Sequence, residues 1–149
     1  LSKTGEGNDK YVTGDPSSDT VAFNFSSDNN GFDGNGFNKN AVTKIDDLLE
    51  VENQGTQKIY FYVDVTGIDL SDGTSIEIEA KEGVGSTSNK QDNIALGGNS
   101  PGTDDVEIGT GKSVVLDLIV DTTGIPGGTS PPLSDGGSVT FHADVTDGI

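Results

Sequence analysis

The chain has 149 residues, of which 30% are hydrophobic, so it is long enough for one domain with a thin core but not comfortably for two. Its formal net charge is −17, from 25 acidic residues against 8 basic residues that are all lysines, which disfavours nucleic acid and anionic membranes as direct partners because both require a basic face. Cysteine is absent, which excludes disulfides, thiolate metal sites and a thiol nucleophile.

The excess of carboxylates has two interpretations. A solvated acidic shell is typical of proteins that work in concentrated salt, where repulsion between charges is screened over a few Å. A cation-binding or simply very soluble surface is the alternative. We favour the salt-adapted interpretation, which predicts a melting temperature that rises with NaCl concentration.

No apolar run is long enough to cross a membrane. The chain begins with Leu1 instead of a methionine, which predicts either a processed chain that has lost a signal peptide or a trimmed one. We expect a secreted protein at the cell surface.

Residues 1–19, called the arm below, consist mostly of small and polar residues. Leu1, Tyr11 and Val12 are the sizeable apolar side chains, and Pro16 ends any regular element. The arm is predicted to be unable to bury itself, because it offers too little apolar surface. Residues 20–149 form the predicted folded domain.

Short runs in which apolar and polar residues alternate predict strands along the rest of the chain. The predicted strands are 20–26, 41–52, 58–66, 75–80, 94–96, 106–108, 113–121 and 138–146. The segments between them are rich in Gly, Asn, Asp and Pro and are predicted to be loops. No segment has helical periodicity.

The clearest local pattern is "LLEVENQGTQKIYFYVDV", residues 48–65. Alternation runs on both sides of a polar break at 53–57. This pattern predicts a hairpin of strands 41–52 and 58–66, with Gly55 in the turn at a positive φ.

Seven to eight short strands with Gly-rich connections indicate an all-β, Ig-like sandwich with an extended N-terminal arm. Val115 and Ile119 are predicted to face away from the interior. The predicted inner face consists of Phe23, Phe25, Leu49, Val51, Ile59, Phe61, Val63, Ile76, Ile78, Leu116, Leu118, Phe141 and Val145.

Three features have the appearance of catalytic motifs. "GNSPG", residues 98–102, has the spacing of a nucleophile elbow, but Pro101 follows Ser100 and has no N–H for an oxyanion hole. "GTGKS", residues 109–113, resembles a phosphate loop, but a strand follows it instead of a helix, so a turn is predicted. His142, the single histidine, is predicted on the outer side of the last strand without partners for catalysis or zinc. We therefore expect no enzymatic activity and assign no catalytic or cofactor-binding residue.

Asp28, Asn30 and Asp33 are oxygen donors close together in one loop and are weak candidates for Ca²⁺ ligands. Further candidates are the pairs Asp46–Asp47 and Asp104–Asp105. Solvated Asp and Asn turns are the simpler interpretation, so no cofactor is expected. "NFS", residues 24–26, is an N-glycosylation sequon, and alternation turns the candidate acceptor Asn24 away from the core.

"GFNKNAVTKIDDLLEVENQGTQKIYFYVDV", residues 36–65, resembles the TasA/camelysin-like family of secreted fibre proteins, whose archaeal relatives include bundling-pilus subunits. The match consists of an aliphatic strand ending near Val51, a small polar signature with Asn53, Gly55 and Thr56, and a long strand after it. The resemblance covers residues 20–66. For the rest of the chain, only the number of predicted strands agrees with the family.

The resemblance implies a jelly-roll-like domain that polymerises outside the cell by donor-strand complementation, in which the arm of each subunit enters the sheet of the next. Leu1, Tyr11 and Val12 would be the donor side chains. The partners would be identical subunits, with lateral bundling of the filaments, and neither nucleic acid nor membrane insertion of the mature chain is implied.

An adhesive or carbohydrate-binding module of a surface protein is the alternative function. Tyr60 and Tyr62 share one strand face and could stack against sugar rings, although aromatic residues total only 6% and tryptophan is absent. In the filament interpretation the same tyrosines provide a surface for lateral contact. Filaments in negative-stain microscopy would favour the first function, and persistent monomers that bind polysaccharide the second.

Overall fold

The computed structural model of the chain describes residues 1–5, 7–13, 22–23, 40–66, 75–82, 95–96, 105–124 and 138–146. Within these ranges the chain forms strands and one short 3-10 helix, Asp9–Tyr11. The strands are β1 (Ser2–Lys3), β2 (Val12–Thr13), β3 (Ala22–Phe23), β4 (Val42–Glu52), β5 (Ile59–Thr66), β6 (Ser75–Lys81), β7 (Ala95–Leu96), β8 (Val106–Ile108), β9 (Ser113–Asp121) and β10 (Ser138–Asp144).

Two main sheets account for most of the described strands. The first has the order β1-β4-β9-β6, with every neighbouring pair antiparallel. The second has β5 at its centre, paired with antiparallel β10 on one edge and with parallel β7 and antiparallel β8 on the other. The small strands β2 and β3 form a separate antiparallel pair. The all-β fold class is confirmed for the described residues.

The two main sheets share one hydrophobic core. Leu49, Val51 and Ile78 contribute to it from the first sheet, and Phe61 and Val63 from the second. Each of these side chains stabilises the fold by about 1.5–3 kcal/mol when it is fully buried. A core between two sheets is the arrangement expected of a β-sandwich.

Most of the predicted inner face is confirmed. Leu49, Val51, Phe61, Val63, Ile76, Ile78, Leu116 and Leu118 are buried, and Phe23, Ile59 and Phe141 pack against them while partly buried. Phe25 lies outside the described residues. The prediction is wrong for Val145, which is 60% exposed because β10 ends at Asp144 and Val145 follows the last paired residue.

The predicted hairpin of strands 41–52 and 58–66 is wrong. β4 pairs with β1 and β9 in the first sheet, whereas β5 pairs with β10, β7 and β8 in the second. The connection 53–58 therefore carries the chain from one sheet to the other. Both strands have the predicted alternation, but alternation contains no information about which strand is the partner.

Asn53 fixes the conformation of this crossing. Its side chain is buried, and its Nδ2 donates hydrogen bonds to the carbonyls of Gln57 and Ile108 at 2.7 and 2.9 Å. Its Oδ1 accepts a hydrogen bond from the Gly55 N–H at 3.0 Å. Both side-chain donors and the acceptor are thus satisfied within the protein, as a buried amide requires.

Gly55 allows its backbone to lie close to the Asn53 side chain. It does not have the predicted positive φ. The described glycines with a positive φ are Gly5 and Gly111. A Cβ atom on Gly55 would lie 3.1 Å from Asn53 Oδ1. A larger residue would therefore press on the hydrogen bond that closes the crossing.

Residues 109–113, "GTGKS", form the predicted turn between β8 and β9. Gly111 has a φ of 67°, and the Lys112 N–H donates to the Gly109 carbonyl at 3.0 Å. The Gly111 N–H donates to the Asn53 carbonyl, and the Asn53 N–H to the Lys112 carbonyl, both at 2.9 Å. The turn therefore braces the crossing between the sheets.

Replacement of Asn53 by alanine tests this role of the crossing. We expect Asn53→Ala to lower the free energy of unfolding by about 1–3 kcal/mol, because the Ile108 carbonyl loses its donor in a buried site and the Gln57 carbonyl loses its donor in a part-buried one. Gln54→Ala is the matched control, since Gln54 is exposed and bonds to Glu52 at the surface; its effect should stay within about 0.5 kcal/mol. Equal effects of the two changes in urea unfolding would contradict the role given to Asn53.

Candidate functional site: the β4 bulge and the arm

β4 is interrupted by a bulge. Between two regular pairs of the β4–β9 ladder, residues 46–48 of β4 lie opposite the single residue Asp117 of β9. Asp47 has a φ of 55°, a left-handed conformation that Asp tolerates better than most residues. Bulges interrupt the regular ladder and redirect backbone groups and side chains, so we expect residues 46–48 to use partners outside the regular β9 ladder.

A buried cluster of charges supplies some of these partners. Asp117 is 1% exposed, and its Oδ1 accepts a hydrogen bond from the Asp47 N–H at 2.8 Å. Lys81 Nζ lies 2.7 and 2.8 Å from the two carboxylate oxygens of Asp117 and 3.1 Å from Asp47 Oδ1. The bulge is therefore tied to β9 by a hydrogen bond and to β6 by an ion pair.

Lys44 joins the cluster from the solvent side. Its Nζ lies 3.2 Å from Asp46 Oδ1, 3.1 Å from Glu79 Oε2 and 3.3 Å from Asp117 Oδ2. Four carboxylates thus share two ammonium groups, and the cluster carries an excess of negative formal charge.

The two lysines of the cluster are held in their charged form. Burial lowers the pKa of Lys81, but its hydrogen bonds to Asp117 and Asp47 and the charges of these carboxylates raise the pKa by more, so it lies above the usual 10.5. For Lys44, too, burial lowers the pKa, and the contacts with Glu79 and Asp46 outweigh it. A lysine whose pKa is raised by folding contributes to stability because its charged form is favoured in the folded state. This contribution is complete below about pH 10.5 and is lost as the pH rises through the raised pKa. The cluster therefore contributes at neutral pH.

The arm lies along the outer edge of β4. β1 pairs with β4 in antiparallel orientation, with Ser2 opposite Glu50 and Lys3 opposite Leu49. The arm thus extends the first sheet by one short strand. We call residues 46–50 of β4, at this edge, the arm seat.

Two carbonyls of the bulge accept hydrogen bonds from the arm. Thr4 Oγ1 donates to the Asp47 carbonyl at 2.6 Å, and Asn8 Nδ2 donates to the Asp46 carbonyl at 2.9 Å. The bulge is therefore held by the charge cluster through its Asp47 N–H and holds the arm through its carbonyls.

Val12 anchors the arm in the core. It is 1% exposed and belongs to the same hydrophobic cluster as the two main sheets, and Tyr11 packs against this cluster while partly buried. Leu1, in contrast, is 37% exposed. The prediction that the arm cannot bury itself is wrong for residues 11–12. β2 pairs with β3 where Val12 enters the shared core and Tyr11 packs against it.

The outer face of the second sheet carries Tyr60, Tyr62 and His142, called the aromatic strip below. Tyr62 and His142 are a cross-strand pair with ring centroids 4.6 Å apart and planes within 6° of parallel. Lys58 Nζ lies 5.0 Å from the Tyr60 ring centroid and 2.9 Å from Glu107 Oε2. Each tyrosine therefore has a neighbouring side chain against one face of its ring.

Several candidate residues lie outside the described residues: the glycosylation candidate Asn24, the weak Ca²⁺ candidates Asp28, Asn30, Asp33 and Asp104, and Ser100, whose motif was predicted not to be catalytic. Asp46 and Asp47 are described, and both pair with lysines. Across the described ranges, no group of three or more His, Cys, Asp and Glu side chains could hold a metal ion. The same ranges contain no helix long and apolar enough to span a membrane.

Lys81 and Asp117 are functional residues that the sequence pattern alone does not single out as a pair. A signal for Asp117 was present, because it interrupts the apolar run "SVVLDLIVD" of residues 113–121. A carboxylate in the middle of a strand that is apolar on both faces is expected to need a buried cation. No comparable signal marked Lys81, which closes the ordinary alternating strand β6.

Replacement of Lys81 tests the charge cluster. We expect Lys81→Met to lower the free energy of unfolding by about 3–5 kcal/mol at pH 7, because it leaves the buried Asp117 with weaker compensation. Lys58→Met is the matched control: its pair with Glu107 is about half exposed on both sides, so its loss should lower the free energy of unfolding far less than the loss of Lys81 does.

The double variant Lys81→Met/Asp117→Leu separates the ion pair from simple packing. Removing both charges should recover part of the stability lost in Lys81→Met, since apolar replacements of a whole buried pair are often neutral, but not all of it, because the Asp47 N–H loses its acceptor. Urea unfolding measures all three variants. A loss below 1 kcal/mol for Lys81→Met would show that Asp117 does not depend on it.

Comparison of the chain with protein-family models, curated proteins and solved structures finds no match. The function is therefore inferred from the arm, its seat and the surfaces described above.

Proposed function

We propose that the protein is the structural subunit of an extracellular filament or pilus, a homopolymer that forms by donor-strand complementation. In this proposal the domain is a jelly-roll-like β-sandwich of the TasA/camelysin-like kind, secreted to the cell surface. The observation that carries the proposal is the antiparallel pairing of the arm with the outer edge of β4.

The outer edge of β4 is suited to strand exchange. β4 has eleven residues and pairs with β9 from Val42 to Glu52, apart from the bulge. In the described part of the arm, the ladder on the other edge covers only Glu50 and Leu49. A long strand with a short partner on one edge is a template for a strand from another chain.

The contacts of the arm can be exchanged between copies without loss. They consist of the short backbone ladder, the hydrogen bonds of Thr4 and Asn8, and the burial of Val12. Each intramolecular hydrogen bond contributes only about 0.5–1.5 kcal/mol, and the arm of a second copy can form the same ones. Such a contact joins two different surfaces, so it need not close into a ring and gives an open fibre.

Charge also favours joining through the arm. Residues 1–13 contain two lysines and two acidic residues, so the net charge of −17 belongs to the remainder of the chain. The domains repel each other, whereas an incoming arm adds no net charge to its neighbour. Salt screens the repulsion between domains, with a screening length of about 3 Å at 1 M, so we expect salt to promote assembly.

The adhesive or carbohydrate-binding alternative is less well supported. Sugar rings stack on open aromatic faces, but one ring face of Tyr60 is covered by Lys58 and one of Tyr62 by His142. Under the filament proposal the aromatic strip is the surface for lateral bundling. It lies on the second sheet, so a contact there does not involve the arm seat on the first sheet.

Removal of the arm tests the proposal. We expect the chain that lacks residues 1–5 to unfold cooperatively in urea, because Val12 stays in the core, but to form no filaments in negative-stain microscopy at a NaCl concentration where the full chain does. A chain lacking residues 1–14 should also remain monomeric and should bind a peptide of residues 1–14. Filaments of unchanged form from both truncated chains would overturn the proposal, and binding of polysaccharide by the persistent monomers would favour the adhesive function.

A further inference from the structure

We propose that the outer edge of β10, Ser138–Asp144, pairs with the same edge of a second copy of this chain, in antiparallel orientation about a two-fold axis. The contact joins two folded domains side by side and involves neither the arm nor the arm seat. No segment changes places between the copies, and the result is a closed dimer instead of an open fibre. The inference therefore goes beyond the proposed function and does not depend on it.

β10 is an edge strand of the second sheet. Its seven residues pair with β5 in one continuous register without a bulge. In the part of the chain that the structure describes, β5 is the one strand that pairs with β10, and no backbone hydrogen bond from a turn or loop reaches it. Alternate residues of such a strand direct their N–H and C=O groups away from the sheet, and this row of groups is a template for another strand.

The β10 edge lacks the features that usually prevent edge pairing. Proteins protect an edge with a bulge, a covering segment, a very short strand, or a lysine or proline on it. The outer edge of β4 has a bulge and is partly covered by β1, and β8, on the other side of the second sheet, has only three residues. β10 is longer than β8, is regular, and contains neither lysine nor proline.

The core side of β10 is incompletely covered at this edge. Phe141 stacks on Phe61 with ring centroids 6.0 Å apart, but it is only partly buried. Ala143, which lies opposite the buried Phe61, is exposed, and Val145 just after the strand is 60% exposed. A further strand along this edge would remove apolar surface from water, which favours its binding.

The charge distribution favours a second copy as that strand. The chain has a formal net charge of −17 with its histidine neutral, but β10 has a single acidic residue, Asp144, at its end. A basic partner would find no carboxylate on β10 before Asp144. A second copy brings an equally uncharged strand, so two copies meet here with less repulsion than at the acidic parts of their surfaces.

The two-fold axis limits the register. It places one residue of β10 opposite the same residue of the second copy, and the register that pairs all seven residues has Phe141 on the axis. The two Phe141 side chains are then neighbours on the core side, where cross-strand aromatic pairs are favourable. Thr140 lies opposite His142 of the second copy, and the aromatic strips of both copies lie on one continuous outer face.

A lysine placed on the edge tests the contact. By sedimentation velocity we expect the full chain to form a dimer as its concentration rises, and Ala143→Lys to stay monomeric at the same concentrations, because an edge lysine opposes strand pairing. Gln54→Lys is the matched control, since it adds the same charge at an exposed position of the crossing between the sheets, and it should dimerise like the unchanged chain. Urea unfolding checks that Ala143→Lys is folded. A full chain without dimer, or equal dimerisation of the two variants, would overturn the proposal.

Engineered disulfides test the register, because the chain has no cysteine of its own. Residues directly opposite each other in an antiparallel pair have Cα atoms about 4.5–5.5 Å apart, within the range that a disulfide spans. The variants Thr140→Cys and His142→Cys are mixed and oxidised, and we expect a covalent heterodimer, identified by its mass. Thr140→Cys mixed with Glu107→Cys, an exposed position of β8 on the other side of the sheet, is the control and should give only background. Equal yields from both mixtures, or a disulfide-linked dimer of His142→Cys alone, would overturn the register.

Microscopy of the same variants separates this inference from the proposed function. Dimers without filaments would support the β10 contact and overturn the filament function. Filaments from a chain that forms no dimer and no heterodimeric disulfide would overturn the β10 contact and leave the filament function intact. Filaments that lie side by side for the unchanged chain, but singly for Ala143→Lys, would support both.

Discussion

The ion pair of Lys81 and Asp117 is the contact on which the rest of the first sheet depends. Asp117 is in the middle of β9 with almost no exposure, where a carboxylate without a cation would cost several kcal/mol. Lys81 supplies this cation from the neighbouring strand, 36 residues away in sequence. With its charge compensated, Asp117 can accept the Asp47 N–H at the point where the β4–β9 ladder is interrupted. The ion pair and the bulge are therefore one structural unit.

The position of the arm follows from this unit. Because the bulge turns residues 46–48 out of the β9 ladder, the carbonyls of Asp46 and Asp47 are available at the sheet edge, and Thr4 and Asn8 bond to them there. Just beyond the end of the same strand, Asn53 fixes the crossing to the second sheet. β4 thus carries the arm seat, where we propose that subunits join end to end, and leads directly into the second sheet, which carries the aromatic strip.

The sequence predicted the strands well because their signal is local. Alternation of apolar and polar residues depends only on neighbouring positions, so it identifies the inward residues of β4, β5, β6 and β9 without reference to the partner strand. Val145 was placed wrongly, because the same alternation continues past Asp144, where the pairing with β5 ends.

The arrangement of the strands was predicted less well because it depends on distant contacts. Residues 53–57 have the composition of a hairpin turn, but the bonds of Asn53 to Ile108 and Lys112 turn them into a crossing between sheets. The burial of Val12 needs a slot built by strands far along the chain, so a count of apolar residues in the arm could not reveal it. The charge cluster joins β4, β6 and β9. Its one sequence signal is that Asp117 interrupts an otherwise apolar strand.

The central claim is that the buried ion pair shapes the seat of the arm, and a double-mutant cycle between Lys81 and Thr4 tests it most directly. Thr4→Val removes the hydroxyl that donates to the Asp47 carbonyl. Lys81→Met removes the cation that pairs with the Asp47 and Asp117 carboxylates. The two changes therefore act on different groups of the bulge. The free energies of unfolding of both single variants and of the double variant in urea give the coupling. A coupling energy of at least about 0.5 kcal/mol is predicted, because the loss of Lys81 disturbs the carbonyl that Thr4 uses. Additivity within about 0.3 kcal/mol would contradict the claim, since it would mean that the arm and the ion pair are independent.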